Sequence, residues 1–229
     1  MQKISIVIPA LNEESGIEKT TKEVMKYLPN ADIILIDDGS TDKTWSIMQK
    51  LSKKSKKVKA FQHKKNKGKA FALKTGFSKI KSGIIGTIDS DCTYPPKYFP
   101  SLIEEFNKGY DLVVGSRFVN GFPKDYPKVR ALANTLGALV SSIILFHKVT
   151  DVTTGLRIFN KKVANLPTRA KNLDFEAELT ARVIKSGMKY SEVKITMEPR
   201  LGMSKLSLFK HIWKFFKGVV RGAWFKSNP

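Results

Sequence analysis

Ile33-Ile-Leu-Ile-Asp-Asp-Gly-Ser-Thr-Asp42 is the stretch that decides the fold. A continuous apolar run of this length, mostly β-branched, reads as a strand buried on both faces. It runs straight into Asp37 and Asp38. Gly39 permits a positive φ, and Thr41 or Asp42 caps a helix that carries Trp45, Met48 and Leu51. The same unit recurs on either side. Ile4 to Ile8 is a strand ending at Pro9, followed by a helix from Glu13 to Leu28 with Ile17, Val24, Met25 and Leu28 at helical spacing. Val58 to Phe61 is a third strand, and Ala70, Leu73, Phe77 and Ile80 mark one face of the next helix. Ile84 to Ile88 is a fourth strand, ending at Asp89. Tyr98, Leu102, Ile103 and Phe106 give another helix, and Leu112 to Gly115 another strand.

Strands alternating with helices, the strands nearly continuous in apolar residues, predict a parallel sheet covered on both faces. Such sheets take ligands beyond the carboxyl ends of their strands. Asn12-Glu13, Asp37-Asp38 and Asp89-Ser-Asp91 all fall at predicted strand ends, which points to a site there. The second half is less regular. Gly121 to Lys128 is a Pro/Gly-rich loop, and Ala131 to Phe146 is an apolar helix. Asp151 to Phe159 is a turn and a short strand, Phe175 to Ile184 a helix closed by Gly187, and Tyr190 to Thr196 a last strand. Ser204 to Phe225 is a long basic helix. The expected organisation is one domain over residues 1–203 and a basic amphipathic tail over 204–229.

The chain has 229 residues, 41 Lys+Arg against 20 Asp+Glu, and a formal net charge of +21. Its apolar content of 41% excludes a disordered chain. A single cysteine, Cys92, excludes a disulfide framework and a thiolate zinc site, and suits a reducing compartment. The start of the sequence has no signal-peptide pattern and no stretch reaches the length needed to span a bilayer, so the expectation is a soluble or membrane-surface protein. The charge calls for a polyanionic partner: nucleic acid, an acidic membrane or a phosphate-rich substrate. It is unevenly placed. From Lys43 to Ile88 there are 14 lysines and no acid. Trp45, Phe61, Phe71 and Phe77 in that stretch read as core positions rather than as a stacking surface for nucleic acid.

Asp89-Ser-Asp91 puts two carboxylates on one side of an extended segment, a spacing that serves a hard cation such as Mg²⁺ or Mn²⁺. A strand-end turn capped by Asp is the plain alternative. Asp37-Asp38 suits hydrogen bonds from a base or a ribose, and equally a strand-to-helix turn. There is no G-x-G-x-x-G and no P-loop. His63-Lys-Lys-Asn-Lys-Gly-Lys69 precedes a helix, so its lysines can meet a phosphate there or lie in solvent. His63 is a poor metal candidate, with no partner nearby in sequence. Arg117, Arg130, Arg157, Arg200 and Lys205 stand among small or apolar residues, a setting for phosphate binding or for structural ion pairs. In the tail, Lys210, Lys214, Lys217 and Arg221 recur on one face with Trp213, Phe216 and Trp224 among the rest. That is the pattern of a helix lying in a membrane interface, the alternative being a helix packed on the domain.

Ile8-Pro-Ala-Leu-Asn-Glu13, Asp37-Asp-Gly-Ser-Thr-Asp42, Asn66-Lys-Gly-Lys-Ala70, Asp89-Ser-Asp91 with Tyr94-Pro-Pro96, Gly115-Ser-Arg-Phe118 and Asp151-Val-Thr-Thr-Gly-Leu-Arg157 stand in a telling order. The set resembles inverting family 2 glycosyltransferases, and most of all the dolichol-phosphate mannose synthase-like (polyprenyl-phosphate) branch. The resemblance implies a GT-A fold, a Rossmann-like α/β sheet with helices on both faces, and a nucleotide-sugar donor. By it Pro9, Asn12, Glu13 and Asp38 line the nucleoside pocket with Asp37 beside them, and Lys69 and Ser90 join the donor-binding set. Asp89 and Asp91 hold the metal, Mg²⁺ or Mn²⁺. Asp91 and Arg117 are the catalytic candidates, and Arg117 and Arg130 meet the acceptor phosphate. Arg200 and Lys205 lie on a loop that closes over the donor phosphates. Many mannose synthases have Gln-His where this chain has Thr93-Tyr94, so the resemblance supplies no third metal ligand and does not fix the sugar.

The expected function is transfer of a sugar, mannose from GDP-mannose, onto a polyprenyl or dolichyl phosphate at the cytoplasmic face of a membrane. A UDP-sugar donor or a non-lipid acceptor is the alternative. The tail, with Ala131 to Phe146, would supply the anionic membrane contact that some relatives obtain from a transmembrane region. Nucleic acid is not expected as a partner.

Overall fold

The computed structural model describes residues 2–81, 83–119, 121, 128–172, 174–202 and 208–224, with only the backbone of 128–133 and 208–214. Its centre is a seven-stranded sheet. The strands are β1 (Ile4–Ala10), β2 (Asp32–Asp37), β3 (Val58–Gln62), β4 (Ile84–Thr87), β5 (Leu112–Ser116), β6 (Arg157–Phe159) and β7 (Tyr190–Lys194). The helices are α1 (Ile17–Tyr27), α2 (Thr44–Lys54), α3 (Lys69–Ser78), α4 (Phe99–Asn107), α5 (Lys128–Leu145), α6 (Lys161–Ala164), α7 (Phe175–Lys185) and α8 (Leu208–Trp224). The strand order is β3-β2-β1-β4-β6-β5-β7. Every neighbour pair is parallel except the two made by β6, which runs antiparallel to both β4 and β5.

The apolar runs explain the layers. Successive strand side chains point to opposite faces. Ile6, Ile8, Ile33 and Leu35 pack on one face with Ile17, Val24, Met48 and Phe99 from α1, α2 and α4. Val7, Ile34 and Ile36 pack on the other with Leu73, Phe77, Leu179 and Val219 from α3, α7 and α8. Both faces are therefore covered, as the unbroken apolar strands require.

The structure corrects three packing expectations. Phe71 is not core: it is 41% exposed on the outer side of α3, although Phe77 is buried. Arg157 binds no phosphate, being 1% exposed and spent on Thr154 O, Val152 O and the Thr180 hydroxyl. Arg221 is no part of a free basic stripe. It turns inward to Asp174 and Glu178, and α8 lies on α7 through Gly218 and Gly222, where a β-carbon would strike Asp174 O and Ala181 Cβ. Residues 204–207 and 225–229 of the expected tail fall outside the described residues. Among the described residues, no helix is long and apolar enough to cross a membrane.

Candidate active site

β1, β2 and β4 end side by side, and their carboxyl ends carry Glu13, Asp38 and the Asp89-Ser-Asp91 turn. With Lys69 at the start of α3, they surround one cavity of about 210 Å³. Pro9, Glu13, Asp38, Lys69, Asp89, Ser90, Asp91 and Arg200, expected as donor-site residues, all line it.

Two expected members do not. The Asp37 carboxylate is fully buried beneath the cavity, where it accepts from Ser40 N and Gln62 Nε2. It shapes the turn and has no surface to offer a ligand. Asn12, at φ 54°, turns its side chain away and accepts from Thr41 N, while Ser40 Oγ takes its own N–H. Asn12 thus ties the β1 loop to the β2 loop. Asn66 and Asn172 line the cavity although the sequence did not single out either as a site residue.

The charges are arranged in two bridges. Lys69 Nζ lies 2.6 Å from Asp89 and 2.6 Å from Glu176, the latter in the first turn of α7. Burial alone would lower the Lys69 pKa, but the two carboxylates outweigh it and hold the amine above its ordinary range. Arg200 spans Asp91 and Glu13. Its segment is tied down by Leu201 N to Asp91 O and Glu198 N to Thr93 O, each 3.0 Å. Burial pushes the Glu13 carboxyl up to about 7; Arg200 opposes the shift, and the charges of Asp91 and Asp89 add to it. Four carboxylates thus face two resident cations, so the cluster keeps a negative excess when all are ionised. Arg200 Nε is buried with no hydrogen-bond partner among the described residues.

Asp89 and Asp91 are hard oxygen donors, the type that holds Mg²⁺ or Mn²⁺ with water and phosphate oxygens completing the shell. The negative excess suits a divalent cation. Among the described residues no third His, Cys, Asp or Glu joins them in a ready-made metal cluster.

Arg117, expected at the acceptor phosphate, stands apart from this cavity. Asp151 grips it through Nε at 2.6 Å and Nη2 at 2.8 Å, and Thr153 Oγ1 receives Nη2 at 2.6 Å. That pairing holds the Asp151 carboxyl below its usual range despite full burial, which alone would raise it. The Tyr94 ring lies 5.9 Å from the guanidinium, and burial pushes its hydroxyl up to about 12. On the two sides of Arg117 and Asp151 lie Phe118 and Thr150, which line a second, largely apolar groove of about 630 Å³ with Leu139, Ile143 and Phe146. Arg130 belongs to α5, but its side chain is outside the described residues, as is Lys205.

His63 has partners the sequence did not reveal. It lies buried, with Asp38 on one ring nitrogen and Thr75 on the other. The cue was register: β2 and β3 pair in parallel with Asp37 opposite Gln62, which brings the next two residues together.

Residues 5–166 match glycosyl transferase family 2. The chain belongs to that family. A dolichol-phosphate mannosyltransferase of Pyrococcus furiosus is 30% identical over 96% of this chain, which spans 63% of that protein's length. A UDP-N-acetylglucosamine–dolichyl-phosphate N-acetylglucosaminyltransferase of Methanococcus voltae is 34% identical, with 84% of each chain covered. Among solved structures, glucosyl-3-phosphoglycerate synthase of Mycobacterium tuberculosis, in complex with Mn²⁺, UDP and phosphoglyceric acid, superposes with a TM-score of 0.79. It covers 99% of this chain and 80% of its own at 17% identity, a likeness of fold. The family 2 chain described here has that GT-A architecture, with its cavity at the carboxyl ends of β1, β2 and β4.

Proposed function

We propose that this chain is an inverting glycosyltransferase that moves a sugar, mannose from GDP-mannose, onto a polyprenyl phosphate. The observation that carries the reading is the meeting of Asp38, Lys69, Asp89, Asp91 and Arg200 around one cavity. Asp38 receives a donor group of the nucleoside. Asp89 and Asp91 hold Mg²⁺ or Mn²⁺, which when bound neutralises the diphosphate. Arg200, with its unused Nε–H, and Lys69 add fixed positive charge where negative charge develops on the leaving nucleotide. A phosphate oxygen of the acceptor is already anionic at neutral pH, so attack at the anomeric carbon needs no strong base. Positioning does the rest. Arg117, held rigid by Asp151, receives that phosphate, and Arg130 is the second arginine expected there.

The lipid part of the reading rests on α5. Leu139 is 55% exposed, Ile143 63% and Phe146 90%, and all three border the apolar groove next to Arg117. An apolar face beside a phosphate-binding arginine suits a membrane-borne acceptor, with the protein peripheral on the cytoplasmic face. The basic tail, residues 204–225, adds an anionic-headgroup contact in this reading, while Arg221 serves the fold.

A second reading, a UDP-sugar donor, is favoured by Asp38. Its Oδ1 already accepts from His63 Nδ1 and Lys67 N, and its Oδ2 from Gly68 N. A carboxylate has about four acceptor positions, so one remains. One position serves the single ring N–H of uracil, whereas guanine offers two neighbouring donors.

The test is incubation with Mn²⁺ or Mg²⁺, labelled GDP-mannose, UDP-glucose and UDP-N-acetylglucosamine in turn, and a short polyprenyl phosphate. Organic-phase label from GDP-mannose alone is expected. Label from a UDP-sugar instead selects the second reading, and label from none overturns the lipid acceptor.

A further inference from the structure

We propose that His63 is a positioning residue for nucleotide recognition: it clamps Asp38 so that one carboxylate acceptor stays aimed into the donor cavity. The inference rests on the reading of Asp38 as a nucleoside contact. Among the described residues three donors already occupy the carboxylate, which also lines the cavity. His63 Nδ1 stands 2.7 Å from Asp38 Oδ1, and Nε2 stands 3.0 Å from Thr75 Oγ1. Lys67 N reaches the same Oδ1 at 3.0 Å, and Gly68 N reaches Oδ2 at 2.8 Å. His63 and Asp38 are 8% and 3% exposed.

A carboxylate only accepts, so Nδ1 carries the proton, and in the neutral ring Nε2 then accepts from the Thr75 hydroxyl. Both ring nitrogens are used, which fixes the tautomer and the ring plane. The main chain of His63 is anchored too, because its backbone N–H donates to Asp37 O at 2.8 Å. An imidazole costs more to bury than an apolar side chain of similar size, so packing alone does not account for it. What it adds is direction. Without it Oδ1 keeps one donor, and the carboxylate is free to turn its open position away from the ligand.

Mutation separates this role from general support of the fold. His63→Leu removes the donor, His63→Asn restores an N–H near Nδ1, and Thr75→Val releases the far side of the ring. Titration calorimetry on the full chain with Mn²⁺ uses three probes: UDP, GDP and inorganic diphosphate. His63→Leu is expected to weaken the preferred nucleoside diphosphate by about tenfold or more, as fits one lost hydrogen bond to a charged group. Inorganic diphosphate binding should stay within about twofold, because it does not use Asp38. His63→Asn should recover most of the loss, and Thr75→Val should show a weaker form of it. In turnover the defect should fall on the donor KM rather than on kcat. Equal losses for nucleoside diphosphate and inorganic diphosphate, or no loss in either His63→Leu or Thr75→Val, overturn the inference. Wild-type chain that binds inorganic diphosphate but neither UDP nor GDP overturns the donor-site reading itself.

Discussion

A β-carbon on Gly155 would lie 2.5 Å from Oδ1 and 2.7 Å from Oδ2 of Asp89. The glycine is what gives that carboxylate its room. The φ of Gly155 is not positive, so alanine there strains no backbone and acts only through the collision. Gly155→Ala should therefore displace Asp89 and lower sugar transfer by about a hundredfold, the scale of a 1 Å misplacement. Mn²⁺ affinity measured calorimetrically should fall with it; unchanged affinity and rate would show that Asp89 has another way to sit.

Glu13 gives a pH dependence of defined sign. Its carboxyl is raised from 4.5 to about 7, burial being the main cause. Between those values the folded chain holds a proton that the unfolded chain has released, so raising the pH favours unfolding. The melting temperature of the wild type, taken relative to Glu13→Gln, should decline from pH 4.5 to 7 and level off above. Parallel melting curves through that window would refute the assignment.

Two helix glycines should respond in opposite directions to alanine. Gly137 in α5 has nothing within 4 Å of its would-be β-carbon, whereas that of Gly222 in α8 meets Glu178 O and Ala181 Cβ at 2.6 Å. Gly137→Ala should gain up to about 1 kcal/mol from helix propensity. Gly222→Ala should lose stability despite the same propensity gain, by about 1–3 kcal/mol. Urea unfolding of both variants decides whether α8 is fastened to α7 as described.

Arg157→Met should cost about 3 kcal/mol or more, because it leaves Thr154 O and Val152 O buried without their donor. Lysine at the same position cannot supply the fork and should not rescue. Chemical denaturation reads both, and near-wild-type stability of Arg157→Met would reopen a ligand role for this arginine.

Ile143→Glu together with Phe146→Glu should reduce sedimentation with phospholipid vesicles about tenfold, since two exposed apolar side chains lose their transfer free energy. Calorimetric binding of UDP or GDP should not change, as neither residue lines the cavity proposed for the nucleotide. Vesicle binding that survives would move the membrane contact from α5 to α8.

What was legible in the sequence was whatever a strand and its own next turn determine. The apolar runs gave β1, β2 and β4, and the acids just past them gave Asp38, Asp89 and Asp91, because in a parallel sheet those ends face one side. What was not legible depends on partners distant in sequence. His63 reads as a lone basic-loop residue until the β2–β3 register sets it against Asp38. Arg157, Arg200 and Arg221 each have small or apolar residues beside them in sequence, yet two are spent on the fold and one on the cavity. Phe71 and Phe77 belong to one helix, and only the packing of α3 tells which is outside. Asn172 enters the cavity from the turn before α7, whose approach to α3 no local pattern announces.

The reversed strand β6 has an effect on how the enzyme can change. Thr87 pairs with Arg157 in antiparallel register, so the residues leaving β4 run past those entering β6, and Asp89 comes level with Gly155. The chain departs from the sheet after Ser116 and returns at Arg157, on the strand next to the one it left, with Gly155 beside Asp89 at the returning end. Everything between, α5 and its apolar groove included, is a detour hung on two adjacent strand ends. Such a detour can be lengthened, reshaped or exchanged while the half of the sheet made by β1, β2 and β4 stays fixed. One frame of strand ends can thereby be fitted, over evolutionary time or by design, to partners of quite different character.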